Sequence, residues 1–271
     1  MRAAVVQMVS GAELQANLDS AEKQIRNAVA DGADLVLLPE NFALMPLDPE
    51  DILDYGEIDG SGPIQDFLAN LAASLGVTIA GGSLPLKTAD GRRVTNSLLL
   101  FDRAGQRIAR YDKIHLFDVD LPDGTGHFHE SQVIAPGNES VVVDVDGFRL
   151  GLSICYDLRF PELYRRLVAD GAELLLVPAA FTATTGKAHW HSLLQARAVE
   201  NLCYVMASNQ GGIHANGRAT YGHSLVLDPW GKTLGGVGSG SGFFVVDIDR
   251  ERQHTIRSRF PVLTHSRIND L

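Results

Sequence analysis

Cys155 is the side chain of this sequence best placed to act as a nucleophile, and Glu40, Lys113 and Glu130 are charged groups that could serve it. A thiol near neutral pH is mostly protonated, so a nucleophilic cysteine needs a base beside it. Cys155 closes the apolar run RLGLSIC, directly before YDLRFPELYRR, where Pro161 suits the first turn of a helix. A thiol at that turn is expected to be exposed, near backbone amides and a positive helix end that favour thiolate. The alternative is a small residue buried in the core, a description that fits Cys203 within LCYVMA. Histidine is the usual base, but a carboxylate in an apolar pocket can serve with its pKa raised. Glu40, after Pro39 in LLPENF, is such a candidate; taken alone, Lys113 in RYDKIHLFD and Glu130 in GHFHESQVIAPG are ordinary charges. The histidine pairs His127/His129 and His189/His191 lack the i, i+4 spacing of two ligands on one helix face. HExxH and Cys-x-x-Cys are absent too, so neither a metal nor a cofactor is expected.

The elements that must position these groups are written twice. Residues 30–42 read ADGADLVLLPENF and residues 169–181 read ADGAELLLVPAAF. Around them, RAAVVQM and RLGLSIC read as strands, ELQANLDSAEKQIRNAVADG and PELYRRLVADG as helices, and DLVLLP and ELLLVP as strands. Further on, LGVTIAGG answers to ENLCYVMASNQGG, and LLLFDRAGQRI answers to SLVLDPWGKTL, each of the latter a strand, a glycine turn and a strand. Both halves thus run strand, helix, strand, helix, strand, hairpin. Near-continuous apolar strands imply covered sheets. The expectation is an α/β fold: two sheets packed face to face with helices outside, a four-layer α-β-β-α sandwich with an internal pseudo-repeat. No linker-like stretch separates the halves, so residues 1–271 are expected to form a single domain. Ligands of open α/β sheets sit beyond the carboxyl ends of the strands. Glu40 lies at such an end, and its counterpart in the second copy is Ala179. The mismatch marks a candidate site.

Composition bounds the partners. With 23 Lys+Arg against 33 Asp+Glu, the formal charge of −10 argues against nucleic acid or an anionic membrane as partner. No apolar run approaches a membrane span and MRAAVVQM is no signal peptide, while two cysteines make no disulfide framework; a cytoplasmic protein is expected. GVGSGSG at 236–242 has no following Lys-Ser/Thr pair and is read as a turn between two strands.

LLPENF, YDKIHLFD and GLSICYDLRFPELYR together resemble the nitrilase superfamily of carbon–nitrogen hydrolases. The similarity extends through HESQVIAPG, LLLVPAAFTATTGKAHWHSLLQARAVEN and YGHSLVLDPWG, nearly the whole chain. The resemblance implies the same sandwich fold, a Glu-Lys-Cys triad at Glu40, Lys113 and Cys155, and a second glutamate at Glu130. It implies hydrolysis of a small carboxamide to acid and ammonia through a thioester, with Lys113 and the backbone N–H of Tyr156 stabilising the oxyanion, and it implies a homodimer. Arg159 is the candidate for pairing a substrate carboxylate, and Phe181, which closes the second copy, is a further substrate-binding candidate. KIHLFDVDLP, TGKAHW and QGGIHANGRATYGHS are similar to the Nit branch, whose groups act on deaminated glutathione or on the ω-amides 2-oxoglutaramate and 2-oxosuccinamate. The wording favours deaminated glutathione, with His214, Asn216 and Arg218 expected in a loop at the pocket mouth to host its extension. His191 stands where both groups commonly carry a glutamate. N-carbamoyl amino acid hydrolysis uses the same triad and is the enzymatic rival. A non-catalytic binding protein on this fold is the rival from another class, opposed by the presence of all four residue types.

Overall fold

The computed structural model describes residues 1–121 and 126–267; the proline of KIHLFDVDLP and the last four residues lie outside them. Among the described residues, fifteen strands and five α-helices follow in chain order. The first half holds β1 (Arg2–Gln7), α1 (Leu14–Ala30), β2 (Leu35–Leu37), α2 (Pro63–Leu75), β3 (Thr78–Ala80), β4 (Leu84–Lys87), β5 (Val94–Phe101) and β6 (Arg107–Asp112). A hairpin of β7 (Asp118–Asp120) and β8 (His127–His129) comes next. The second half holds β9 (Val142–Val145), β10 (Phe148–Leu152), α3 (Pro161–Ala169), β11 (Leu174–Ala179), α4 (Ala183–Asn201), β12 (Tyr204–Asn209), β13 (Leu225–Leu227) and β14 (Thr233–Gly236). The chain then adds β15 (Gly242–Asp247) and α5 (Arg250–Arg259).

The repeat is structural. One sheet runs β15-β1-β2-β3-β5-β4 with β6 on β5, and the other runs β14-β13-β12-β11-β10-β9. β1, β2 and β3 are parallel, as are β10, β11 and β12, and in each sheet an antiparallel hairpin follows. Its recurrent ADG has a physical cause. Gly32 and Gly171 end α1 and α3 at φ +87° and +95°, a conformation that costs glycine little. A Cβ on either would strike an arginine, Arg2 or Arg149, whose backbone N–H donates to Asp34 or Glu173 just beyond the glycine. The same device turns the chain twice.

Strand alternation builds the layers. Ala3, Val5, Leu35, Leu37, Leu98 and Leu100 join one core with the strands of the second sheet. Their neighbours Ala4, Val6, Val36, Leu38, Leu99 and Phe101 pack instead with Leu18, Ile25, Leu68 and Leu71 of α1 and α2. On the far side, Leu163, Tyr164 and Leu167 of α3 and Trp190 and Leu194 of α4 cover the second sheet. The order is therefore helices, sheet, sheet, helices, the four-layer sandwich expected from the sequence. GVGSGSG does join two strands, β14 and β15, but β15 returns to the first sheet and pairs with β1. Among the described residues no helix is long and apolar enough to cross a membrane.

Candidate active site

Strand ends from both sheets meet at one edge of the sandwich. Glu40 follows β2, Lys113 follows β6 directly, and Cys155 lies just past β10. Glu130 opens a 3₁₀ turn after β8. β10 stops at Leu152, so Cys155 does not end the strand; it begins a 3₁₀ turn at φ +49° ahead of α3. A non-glycine residue in this left-handed region costs about 1–2 kcal/mol and must be held there by its surroundings. Asp157 does the holding. Fully buried, it accepts from the Ile154 N–H (2.9 Å), from the Tyr111 hydroxyl (2.6 Å), and from the backbone and Nδ1 of His115 (3.0 and 2.7 Å). Tyr111 and His115 flank Lys113, so this one carboxylate ties the cysteine turn to the lysine segment.

Glu40 is 3% exposed and its carboxylate is saturated. Oε1 accepts from Lys113 Nζ and Asn96 Nδ2, both at 2.9 Å. Oε2 accepts from the Ala180 N–H at 2.8 Å, and the charge of this carboxylate acts on the neighbouring Cys155 thiol. Ala180 sits one residue past the second copy's counterpart of Glu40, so the two halves of the repeat touch here. Lys113 also donates to both Glu130 oxygens, at 2.9 and 2.8 Å, and the Phe117 N–H donates to Glu130 Oε2 at 2.7 Å.

These contacts reverse two expectations. Burial alone would raise the Glu40 pKa, but the Lys113 charge, the bonds from Cys155 and Lys113, and the Arg218 charge together pull it below the usual carboxylate value. Cys155 is not exposed; it is 7% accessible. Burial and the adjacent Glu40 charge push its pKa well up, against the pull of Lys113. The resting pair is thiol and carboxylate, not thiolate and acid. For Lys113, burial opposes the charge but the carboxylates of Glu130 and Glu40 outweigh it and raise the pKa.

The group lies in a cavity of about 720 Å³. Tyr156, Arg159 and Phe181 all line it. The Arg159 guanidinium sits 5.7 Å from the Tyr156 ring centre and 5.3 Å from that of Phe181, and donates to His189 Nδ1 at 3.2 Å. Asn216 and Arg218 line the opposite stretch of loop, where Arg218 donates to the Ala180 carbonyl (2.6 Å) and lies 5.2 Å over Phe128. His214 does not join them. It is buried, with its ring bonded to the Ser10 carbonyl and the Thr220 hydroxyl, both at 2.8 Å. His191 packs against Tyr221 and His223. Among the described residues no three His, Cys, Asp or Glu side chains gather in a way that could hold a metal. Asn96 and Asp157 escaped the sequence reading, though Asp157 stands only two residues past the cysteine.

The carbon-nitrogen hydrolase family description matches residues 2–258. The chain belongs to the carbon–nitrogen hydrolase family. This hydrolase is 44% identical over 265 residues to a protein of Synechocystis named deaminated glutathione amidase, covering 97% of each chain. Its fold superposes on the crystal structure of the C. elegans NitFhit protein with a TM-score of 0.90 at 38% identity, covering 98% of the hydrolase but 65% of that longer chain. It also matches, with a TM-score of 0.80 at 29% identity and 96% and 98% coverage, a variant of the amidase from Nesterenkonia sp. AN1 whose active-site cysteine has added to acrylamide. The hydrolase thus acts on carbon–nitrogen bonds of amides, as its amidase-named relatives do.

Proposed function

We propose that Cys155 is the nucleophile of this amidase, Glu40 its proton carrier, and deaminated glutathione its substrate. The observation that carries the reading is the buried Glu40 carboxylate, bonded to the Lys113 ammonium at 2.9 Å, with its charge acting on the Cys155 thiol on the same cavity wall. In the proposed reaction Glu40 takes the thiol proton as sulfur bonds to the carbonyl carbon. Lys113 and the Tyr156 N–H stabilise the oxyanion; one such donor is worth about 3–4 kcal/mol of barrier. Collapse breaks the C–N bond, and the amine leaves with the proton from Glu40. Water then attacks the thioester, giving its proton to Glu40, and the departing sulfur recovers that proton. Glu130 orients Lys113 throughout.

Deaminated glutathione is glutathione with its α-amino group replaced by an oxo group. Its scissile amide joins the acyl chain to the cysteine nitrogen, so the leaving amine is cysteinylglycine. The ammonia expected from the sequence is the product only for primary amides such as 2-oxoglutaramate. A carboxylate at each end of the longer substrate suits two arginines on the cavity wall, with Arg159 for the acyl side and Arg218 for the dipeptide. The 44% identity to a relative bearing that activity's name supports the choice.

The test is kcat/KM for both compounds, read as cysteinylglycine and ammonia release, in wild type and Cys155→Ala. Deaminated glutathione is expected to lead at least tenfold, a preference of about 1.4 kcal/mol, with both activities lost in the variant. A lead for 2-oxoglutaramate moves the enzyme to the ω-amide substrates. Residual turnover within tenfold of wild type in Cys155→Ala removes the nucleophile.

The chain is further proposed to work as one domain, since a single apolar core spans both sheets. A cytoplasmic homodimer completes the proposal. Its supports are two free cysteines and an exposed apolar patch in which Trp230, 60% accessible, stacks edge-on against Phe260.

A further inference from the structure

β5 turns Leu98 and Leu100 toward the second sheet, and two residues earlier the same face presents Asn96. A buried asparagine on an inter-sheet face is costly unless its amide is fully used. Here it is used on two like charges. Its Nδ2 donates to Glu40 Oε1 at 2.9 Å and to Glu130 Oε1 at 3.4 Å. Lys113 Nζ reaches the same two oxygens, each at 2.9 Å. Two nitrogens and two oxygens therefore alternate in a closed ring, and the main-chain carbonyl of Asn96 accepts the Lys113 backbone N–H at 2.9 Å, fixing the lysine as well.

We propose that Asn96 is a positioning residue of the amidase: its carboxamide bridges the two glutamates and holds Glu40 aligned between the Cys155 thiol and the Lys113 ammonium. This rests on the reading of Glu40 as proton carrier. An amide suits the place because it offers two donors and no charge. A cation there would hold Glu40 so firmly anionic that it could not take the thiol proton, and a carboxylate would add a third negative charge. The groups facing Glu40 are Lys113, Cys155, Arg218 and, across Lys113, Glu130. Removing the Asn96 donor leaves Lys113 alone to separate the two carboxylates, so the Glu40 anion loses stabilisation and the acid limb of the rate profile moves to higher pH.

The experiment measures kcat/KM from about pH 4 to 8, with melting temperature, for wild type, N96A, N96D and E40Q. N96A is expected to lose about 10- to 100-fold at neutral pH, with its acid limb raised by about one pH unit. N96D keeps the side chain's shape and carries the same test should N96A not fold, with a larger upward shift expected. A limb in its wild-type place in both variants, with the loss confined to KM or melting temperature, overturns the positioning role and leaves Glu40 untouched. Wild-type turnover in E40Q overturns the underlying reading instead.

Discussion

Arg218→Ala separates the two ends of the proposed substrate. The guanidinium spends one N–H on the Ala180 carbonyl, its Nε has no partner among the described residues, and its flat face lies over Phe128. The remaining terminal N–H groups are left for a carboxylate in the cavity. A hydrogen bond to a charged group contributes about 1.5–3 kcal/mol, and at about 1.4 kcal/mol per decade its loss lowers kcat/KM about 10- to 150-fold. That loss falls on deaminated glutathione, whose dipeptide carboxylate reaches the loop. 2-Oxoglutaramate has no leaving-side carboxylate, and its kcat/KM is expected to stay within about threefold. Arg218 also helps hold Glu40 anionic, so its removal raises the acid limb for both substrates alike. Steady-state kinetics near neutral pH, with cysteinylglycine and ammonia as readouts, isolate the first effect. Equal fold losses for the two substrates would refute the assignment of Arg218 to the leaving group.

Four further outcomes are expected. Iodoacetamide should modify Cys155, which lines the cavity beside the Glu40 carboxylate, with loss of activity and spare Cys203, which is sealed in the core with its thiol on the Ala172 carbonyl, as peptide mapping would show; modification of Cys203 at the same rate contradicts this. Glu40→Gln should slow both acylation and deacylation while leaving some acylation by an activated ester. Lys113→Ala should fail with every substrate and also lose about 3–5 kcal/mol of stability in denaturant titration, since it strands the buried Glu40 carboxylate and leaves the partly buried Glu130 beside it; small, equal losses in these two variants point to another triad. Gly82→Ala should cut turnover about 100-fold: Gly82 has φ +58°, and a Cβ there would lie 2.0 Å from the Pro39 carbonyl, displacing the peptide that carries Glu40. Unchanged kcat in that variant would mean Glu40 tolerates movement.

Much of this architecture is legible in the chain because it is written twice. ADG at 30–32 and 169–171, and the hairpins after β3 and β12, give matched strand orders in the two sheets. Glu40 stood out because its repeat partner is alanine. Asn96 did not, since TNSLLLF reads as the start of an ordinary strand and its partners lie 56 and 34 residues away. The protonation of the pair was misread for a related reason: burial raises a carboxylate's pKa, but the donors that reverse this come from segments distant in sequence. His214 was misplaced because its partner Ser10 is 204 residues away. α5 carries the sequence RERQHTIRSR, with too few apolar residues for helical periodicity to show.

β15 has a consequence for how the protein is made. Beside β1 it fills the place that β9 fills beside β10, but β9 precedes its neighbour in the chain, whereas β15 is synthesised about 235 residues after β1 ends. Glu40, Asn96, Lys113 and Cys155 therefore all exist while β1 still has a bare edge. Gln7 at that stage also lacks the Gly238 and Gly240 carbonyls that its amide binds at 2.7 and 2.6 Å. An unfinished chain thus presents an open strand edge, a template for pairing with another molecule. The β15 of a neighbouring chain matches that edge by construction, from Arg2 opposite Asp247 to Gln7 opposite Gly242. Exchange of this strand between nascent copies is then the misassembly to which the fold is most open, and it would yield a swapped pair in which each first sheet is completed by the other chain.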